Sequence, residues 1–372
     1  MRGQWMGTYQ GSNSGQIIVD IDEIDTAYSG VAYLNEQNTL LPRTAATFET
    51  LNKTNNQSFT AYVHPVNPHT LMIDNWENVR KFYGQNVIIP SQAQVQIKET
   101  SRTLSLHWTT NIGSTGSAKL PKSKASRPSK VPVQVMTWTQ FKSETENFLG
   151  SNRSFLFRGQ SDVWRLRTAF HRRGRANLYR FINQDVPILH RHLSSRTKHY
   201  FNLQIPEQNG AFLNLAQHHG YPTPLLDWSY SPYVAAFFAF REVSNKEAIK
   251  SKNNDYVRIY IFNQALWRSK VNQVQQLITS ASHFSIHEFS SIDNERMIPQ
   301  QAASSVTNID DIESYILQYQ QNGDQFLRAV DIHKSERKKV MNELQYMGIT
   351  AGALFPGIDG ACEELREQLF KF

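Results

Sequence analysis

Phe157-Arg158-Gly159-Gln160 closes a short apolar run, which places an arginine at a strand end beside a glycine. A guanidinium fork binds phosphate bidentately, and a glycine has no Cβ to hold a phosphate or ribose away. Further on stands His218-His219-Gly220-Tyr221-Pro222-Thr223-Pro224-Leu225-Leu226-Asp227-Trp228-Ser229-Tyr230-Ser231-Pro232, followed by the apolar Tyr233-Val234-Ala235-Ala236-Phe237-Phe238-Ala239. Pro232 opens this helix at the favoured first position, so Asp, Ser and Tyr side chains crowd a buried helix start, a pocket suited to an anionic ligand. Asp227 is either a buried acceptor that fixes the turn or an active-site carboxylate. A third block reads Asn294-Glu295-Arg296-Met297-Ile298-Pro299-Gln300-Gln301. His218 and His219 with His190 and His192 lack His-Glu-x-x-His spacing and a carboxylate cluster, so they read as turn and core histidines and no metal is expected.

Charge is the other chemical signal. The chain carries +7, but residues 151–200 hold eleven Lys/Arg against Asp162 and Asp185 alone, which is +9 in that stretch. Ten of the eleven are arginine, the side chain suited to bidentate phosphate contacts. Either this is a solvated basic face or it meets a polyanion, and Arg165, Arg167, Arg172, Arg173 and Arg175 are the expected nucleic-acid contacts.

The elements that must position these groups fall in two halves. From Gln4 to Leu120, short alternating runs between Gly, Asn and Ser clusters predict strands at Trp5–Gly11, Gln16–Ile21, Gly30–Leu34, Phe59–Val63, Asn86–Ile89, Gln94–Ile97 and Leu104–Trp108. That is a small antiparallel β-domain over residues 1–112, a sandwich or barrel. Residues 113–132 carry five positive charges, no acid and little to bury, and predict a flexible, protease-sensitive basic linker. Residues 133–372 form the second, mixed α/β domain. It has helices expected at Thr139–Phe148, Pro232–Arg241, Asp310–Tyr319 and Lys334–Met347, and strands at Ser154–Phe157 and Tyr256–Phe262. The fold class is α+β.

Composition removes several classes. With 40 % hydrophobic and 19 % charged residues the chain is not intrinsically disordered. Its longest apolar run, Tyr233–Phe240, is far short of the roughly 20 residues that cross a bilayer. The start, Met1-Arg2-Gly3-Gln4-Trp5, has no signal-peptide stretch, and the single Cys362 excludes an internal disulfide and a cysteine-built zinc site. A soluble, cytoplasmic protein is expected.

The order Phe-Arg-Gly-Gln, then His-Gly-x-Pro-Thr-x-Leu-Leu-Asp-Trp-Ser with Ser-Pro and an Ala/Phe helix, then Arg and Gln-Gln, resembles the FRG domain family. So does the late Leu354-Phe355-Pro356-Gly357-Ile358-Asp359-Gly360. The resemblance covers about Val133 to Leu369 and departs from the family at Pro224 and Ala302, where Arg and Gly are usual. More distantly, the order of Arg, Ser and a later polar residue is similar to the arginine–serine–glutamate ADP-ribosyltransferases. That resemblance implies NAD as substrate, gripped by Arg158 with Gly159, Gln160 and His219 near it. Ser229 or Ser231 would orient the nicotinamide ribose, Tyr230 or Tyr233 would stack on nicotinamide, and Asp227 would belong to the catalytic set. The family's glutamate is replaced by Gln300 or Gln301, with Glu295 the closest acid. Together the two resemblances imply a toxin or anti-phage effector that modifies RNA, DNA or a protein, held by an inhibitory partner. The alternative is a non-catalytic nucleotide- or nucleic-acid-binding module.

Overall fold

Strict alternation dominates the first half of the chain: in Gln92–Glu99 every second residue, Ala93, Val95 and Ile97, is buried and the residues between are exposed. Such a period of two buries one face of a strand. The computed structural model describes residues 1–148, 150–151, 153–320 and 323–370, so the end of the expected second domain, 371–372, lies outside the described residues. In it eight strands build the first half: β1 (Gly3–Gly11), β2 (Gly15–Glu23), β3 (Tyr28–Glu36), β4 (Thr44–Glu49), β5 (Asn56–Pro65), β6 (Gln92–Glu99), β7 (Thr103–Thr110) and β8 (Thr115–Pro121). Each pairs antiparallel with the next, and β1 pairs with β8 through Tyr9 opposite Ala118, closing a barrel.

Three expectations change here. Asn86–Ile89 is not a strand but part of the long β5–β6 connection, whereas β4, unforeseen, is one. The supposed linker is structured. Its first part is β8, whose Ala118 and Leu120 point into the barrel core. Its second part is tied down: Ser123 Oγ donates to Asp310 at 2.8 Å, Ser129 Oγ to Glu313 at 2.8 Å, and Ala125 and Val131 are buried. Serine-rich composition hid two inward-facing residues and two hydroxyls that reach distant carboxylates.

Beyond it lie β9 (Val133–Met136), β10 (Phe155–Gln160), β11 (Leu225–Ser229), β12 (Tyr256–Asn263), β13 (Phe284–His287), β14 (Ala302–Thr307) and β15 (Leu327–His333). They form one mixed sheet ordered β13-β14-β11-β10-β12-β15-β9, antiparallel except where β9 meets β15. Phe157 on β10 packs into the cluster with the helices Trp138–Thr145, Pro232–Phe240 and Arg337–Tyr346. Its neighbour Leu156 packs on the opposite face against the helices Gln264–Lys270 and Ile312–Tyr319. Covered on both faces, β10 is the central strand; it runs on through Gln160, past the expected end at Phe157, so Arg158 lies within it, opposite Tyr260 of β12. The whole is α+β. Among the described residues no helix is long and apolar enough to cross a membrane.

The barrel and this sheet share a seam. In β2 the inward set Ile17, Val19 and Ile21 fills the barrel, yet the outward Ile18, Asp20 and Asp22 are buried too. Ile18, Val31 and Tyr33 pack against Ile278, Tyr179 and Ile182 of the second unit. Gln4 bridges the two: its Nε2 donates to Asp20 Oδ1 and to Asn308 O, and its Oε1 accepts from Asp310 N. Asp22, fully buried, accepts from the backbone N–H groups of Ala176 and Asn177 at 2.7 and 3.0 Å and from Arg175 Nε at 2.8 Å.

Candidate functional site

The helix Pro232–Phe240 lies directly on β10. A Cβ on Gly159 would stand 1.9 Å from the carbonyl oxygen of Ala235. The glycine of Phe-Arg-Gly therefore gives the helix its close approach to the strand, rather than giving a ligand close approach to the backbone. Ser231 caps the same helix by accepting from Val234 N. With the helix seated, the ends of β10 and β11 open into a cavity of about 560 Å³, within the range of small-molecule sites.

Arg158, Gly159, Gln160, Asp227, Ser229 and Gln300 all line this cavity. Arg158 Nη1 donates to the carbonyl oxygen of Asp227 at 2.5 Å, which fixes the guanidinium across β11. Among the residues that line the cavity two polar atoms stay unpartnered although buried, Arg158 Nε and Asp227 Oδ1. Burial pushes the Arg158 guanidinium down to about 10, opposed by Asp227 and aided by Arg172, and it stays cationic at neutral pH. Ser229 Oγ donates to Gln300 O at 2.8 Å and accepts from Ser231 N at 3.0 Å, so its hydroxyl holds the turn into the helix. Gln300 Nε2 donates to Leu354 O at 2.9 Å, joining the third block to the C-terminal segment.

Several groups that the sequence pointed to lie elsewhere. Tyr230 donates its hydroxyl to Glu288 at 2.6 Å under the Arg153 guanidinium, and Tyr233 packs edge-on against Trp138 with its hydroxyl on Thr145. Neither lines the cavity, nor does Ser231. His219 lines a neighbouring depression instead. Part of the basic stretch is paired off inside the fold, while Arg153, Arg172, Arg173, Arg191, Arg196 and Lys198 stay exposed. Arg165 pairs with Asp311 and Glu313, Arg167 with Asp310, and Arg175 with both Asp22 and Asp185. Acids from distant segments neutralise what a local charge count leaves positive. These pairs clamp the loop between β10 and the short helix Ala169–Arg172, and Glu313 Oε1 accepts from Leu166 N and from the Tyr260 hydroxyl.

Arg173 is exposed and has no ion pair among the described residues, and only it and Arg172 remain from the five expected nucleic-acid contacts. Arg172 instead turns to the cavity. Arg167→Glu should therefore cost about 2 kcal/mol of stability in urea denaturation, while Arg173→Glu should stay within about 0.5 kcal/mol. Equal effects would mean that the Arg167–Asp310 pair holds nothing.

Sequence reasoning missed much of the wall. Arg241 and Arg296 bring the lining arginines to four with Arg158 and Arg172, and Asp359 and Glu363 enter from the C-terminal helix Ile358–Phe370. Arg241 makes a two-pronged pair with Glu363 at 2.5 and 2.6 Å and lies over the Phe355 ring at 4.3 Å. Trp164 stands at the rim, 56 % exposed, on the clamped loop. Arginines of this number beside an exposed indole suit a ligand with both phosphate and a flat ring.

With Arg158 on the central strand and the Leu-Leu-Asp-Trp-Ser strand beside it, the motif residues share one wall. Residues 153–248 match the FRG domain family. No curated protein matches the chain, and no solved structure does. The FRG match holds Arg158, Arg172, Asp227 and Arg241, whereas Arg296, Gln300, Asp359 and Glu363 lie beyond it. The FRG segment thus supplies one wall of the cavity and the later elements supply the other.

Proposed function

We propose that the cavity is a nucleotide site that takes NAD, and that the chain is a mono-ADP-ribosyltransferase-like enzyme. It would act in the cytoplasm as a toxin or anti-phage effector on RNA, DNA or protein, restrained by an inhibitory partner. The observation that carries this reading is the pairing of Arg158 and Asp227 in one cavity wall, each with a buried polar atom free for a ligand. Arg158 Nε and the Arg172 guanidinium would hold a pyrophosphate, and Trp164 would stack on a flat ring. Asp227 Oδ1 would accept from a ribose hydroxyl. NAD supplies a ribose–nicotinamide C–N bond whose electron pair leaves with nicotinamide, so positive charge builds on the ribose carbon until an acceptor oxygen or nitrogen bonds there and loses its proton. The Asp227 carboxylate would face that charge. Gln300 can hydrogen-bond but cannot take the proton.

One observation favours the second reading, a nucleotide- or nucleic-acid-binding module without catalysis: the Ser229 hydroxyl and the Gln300 amide are both engaged with backbone carbonyls. The experiment that separates them follows labelled NAD into RNA, DNA and cell extract, beside a thermal-shift titration of NAD. Wild type should bind NAD and transfer label. Arg158→Lys should bind about tenfold more weakly or worse, since lysine does not reproduce a bidentate contact. Asp227→Asn should bind and fail to transfer. Binding without transfer by wild type supports the second reading, and no binding at all removes NAD from both.

A further inference from the structure

The barrel is filled unevenly along its axis. At one end Trp5, Ile21, Leu104 and Leu120 are wholly buried and close it. Toward the other end the inward positions turn small: Ala32 pairs directly with Ala46 across β3 and β4, and Ala61 with Ala93 across β5 and β6. A cavity of about 120 Å³ results, opening between the β1–β2 turn at Ser12 and the β7–β8 turn at Ser114. Its walls are apolar and aromatic, with Phe48 stacked on Phe59 at 4.7 Å and Tyr9 tilted against Trp108 at 5.7 Å. Eight-stranded barrels are just wide enough to be filled by side chains or to hold one small ligand.

Two polar groups face into this space. Glu36 occupies an inward position of β3, on the same parity as Ala32 and Leu34, and is the one charged residue in a lining whose other polar members, Tyr9 apart, are Thr44, Thr110 and the turn residues at the mouth. Tyr9, 3 % exposed, reaches in from β1. Tyr9 Oη and Glu36 Oε2 are buried, and among the described residues they meet no partner but each other. A neutral phenol gives the buried carboxylate no countercharge, and a carboxylate with aromatic walls favours a cation over a neutral donor or an anion. We propose that the open end of the barrel binds a small apolar amine, a single ring or a short chain whose ammonium donates to Glu36 Oε2 and Tyr9 Oη. Size sets the limit: the space of about 120 Å³ is somewhat smaller than the roughly 150 Å³ apolar cavity that accepts benzene, so it holds one ring or a short chain only with the ammonium left at the open end. Burial also holds the Glu36 carboxyl above the usual carboxylate range, with Tyr9 opposing, the mark of a carboxylate short of a positive partner.

The test uses the full chain and three probes of one ring size, benzylamine, toluene and phenylacetate, followed by ligand-observed NMR and thermal shift. Benzylamine should bind best and phenylacetate least. Glu36→Gln should weaken benzylamine about tenfold and leave toluene unchanged, as expected for losing one charge-assisted hydrogen bond. Ala46→Leu should exclude both, and if that variant does not fold, Glu36→Gln decides. Benzylamine binding no tighter than toluene, or surviving Glu36→Gln undiminished, overturns the proposal. No NAD enters the experiment, so its outcome is independent of the activity proposed above.

Discussion

Gly159→Ala is expected to lower the unfolding free energy by about 3 kcal/mol or more, and to abolish whatever the cavity binds along with it. The added methyl would meet the Ala235 oxygen at 1.9 Å and the Ala239 nitrogen at 2.6 Å. Both are backbone atoms of a helix, so no rotamer change relieves the overlap. The helix Pro232–Phe240 must lift from β10, and with it go Ser231, the turn that Ser229 holds, and the spacing of Arg158 from Asp227. Gly84→Ala is the control, because a Cβ there meets nothing within 4 Å. Urea denaturation reads both variants. A Gly159→Ala protein as stable as the Gly84→Ala protein would show that the helix is not seated on the strand.

Asp22→Ala is the second large effect, about 3 to 5 kcal/mol. It strips partners from two buried N–H groups, those of Ala176 and Asn177, and leaves Arg175 with Asp185 alone. An unsatisfied buried donor costs roughly 1 to 3 kcal/mol. Because the loss falls on the seam, the barrel and the second unit should then melt at separate temperatures in calorimetry, with the segment 175–177 newly open to protease. A single transition within about 1 °C of wild type would place the strength of the seam elsewhere, in the packing of Ile18, Val31 and Tyr33.

The local motifs were legible and the distant ones were not. Arg158, Asp227 and Gln300 could be read because each sits in a compact block whose turn and helix signals lie within a few residues. The alternating strand Tyr256–Asn263 and the helix opened by Pro232 were legible for the same reason. Arg241 and Glu363 carry no such signal: both reach the cavity only through the packing of helices far apart in the chain, and Arg296 stands in the third block without a role. Charge misled in a related way. Arg165, Arg167 and Arg175 look like a cationic surface until Asp22, Asp310, Asp311 and Glu313 arrive from elsewhere, and no short window of sequence contains both partners. Strand β8 was lost to composition, since only Ala118 and Leu120 mark its inward face.

The seam also sets a timetable. Gln4 meets Asn308 and Asp310 across 304 and 306 residues, and β9 finds β15 only after most of the second unit has been made. The barrel, by contrast, closes entirely within residues 3–121. Contacts of long sequence separation form slowly, because the intervening chain must lose its freedom first. A chain synthesised from its N-terminus can therefore finish the barrel early and present Gln4, Asp20 and Asp22 as a ready surface on which residues 175–177 and 308–310 settle. A chain diluted whole from denaturant has no such order imposed on it. Its refolding should be slow and prone to stalling with the barrel formed and the sheet incomplete, so the N-terminal unit acts as a template for the rest of the protein.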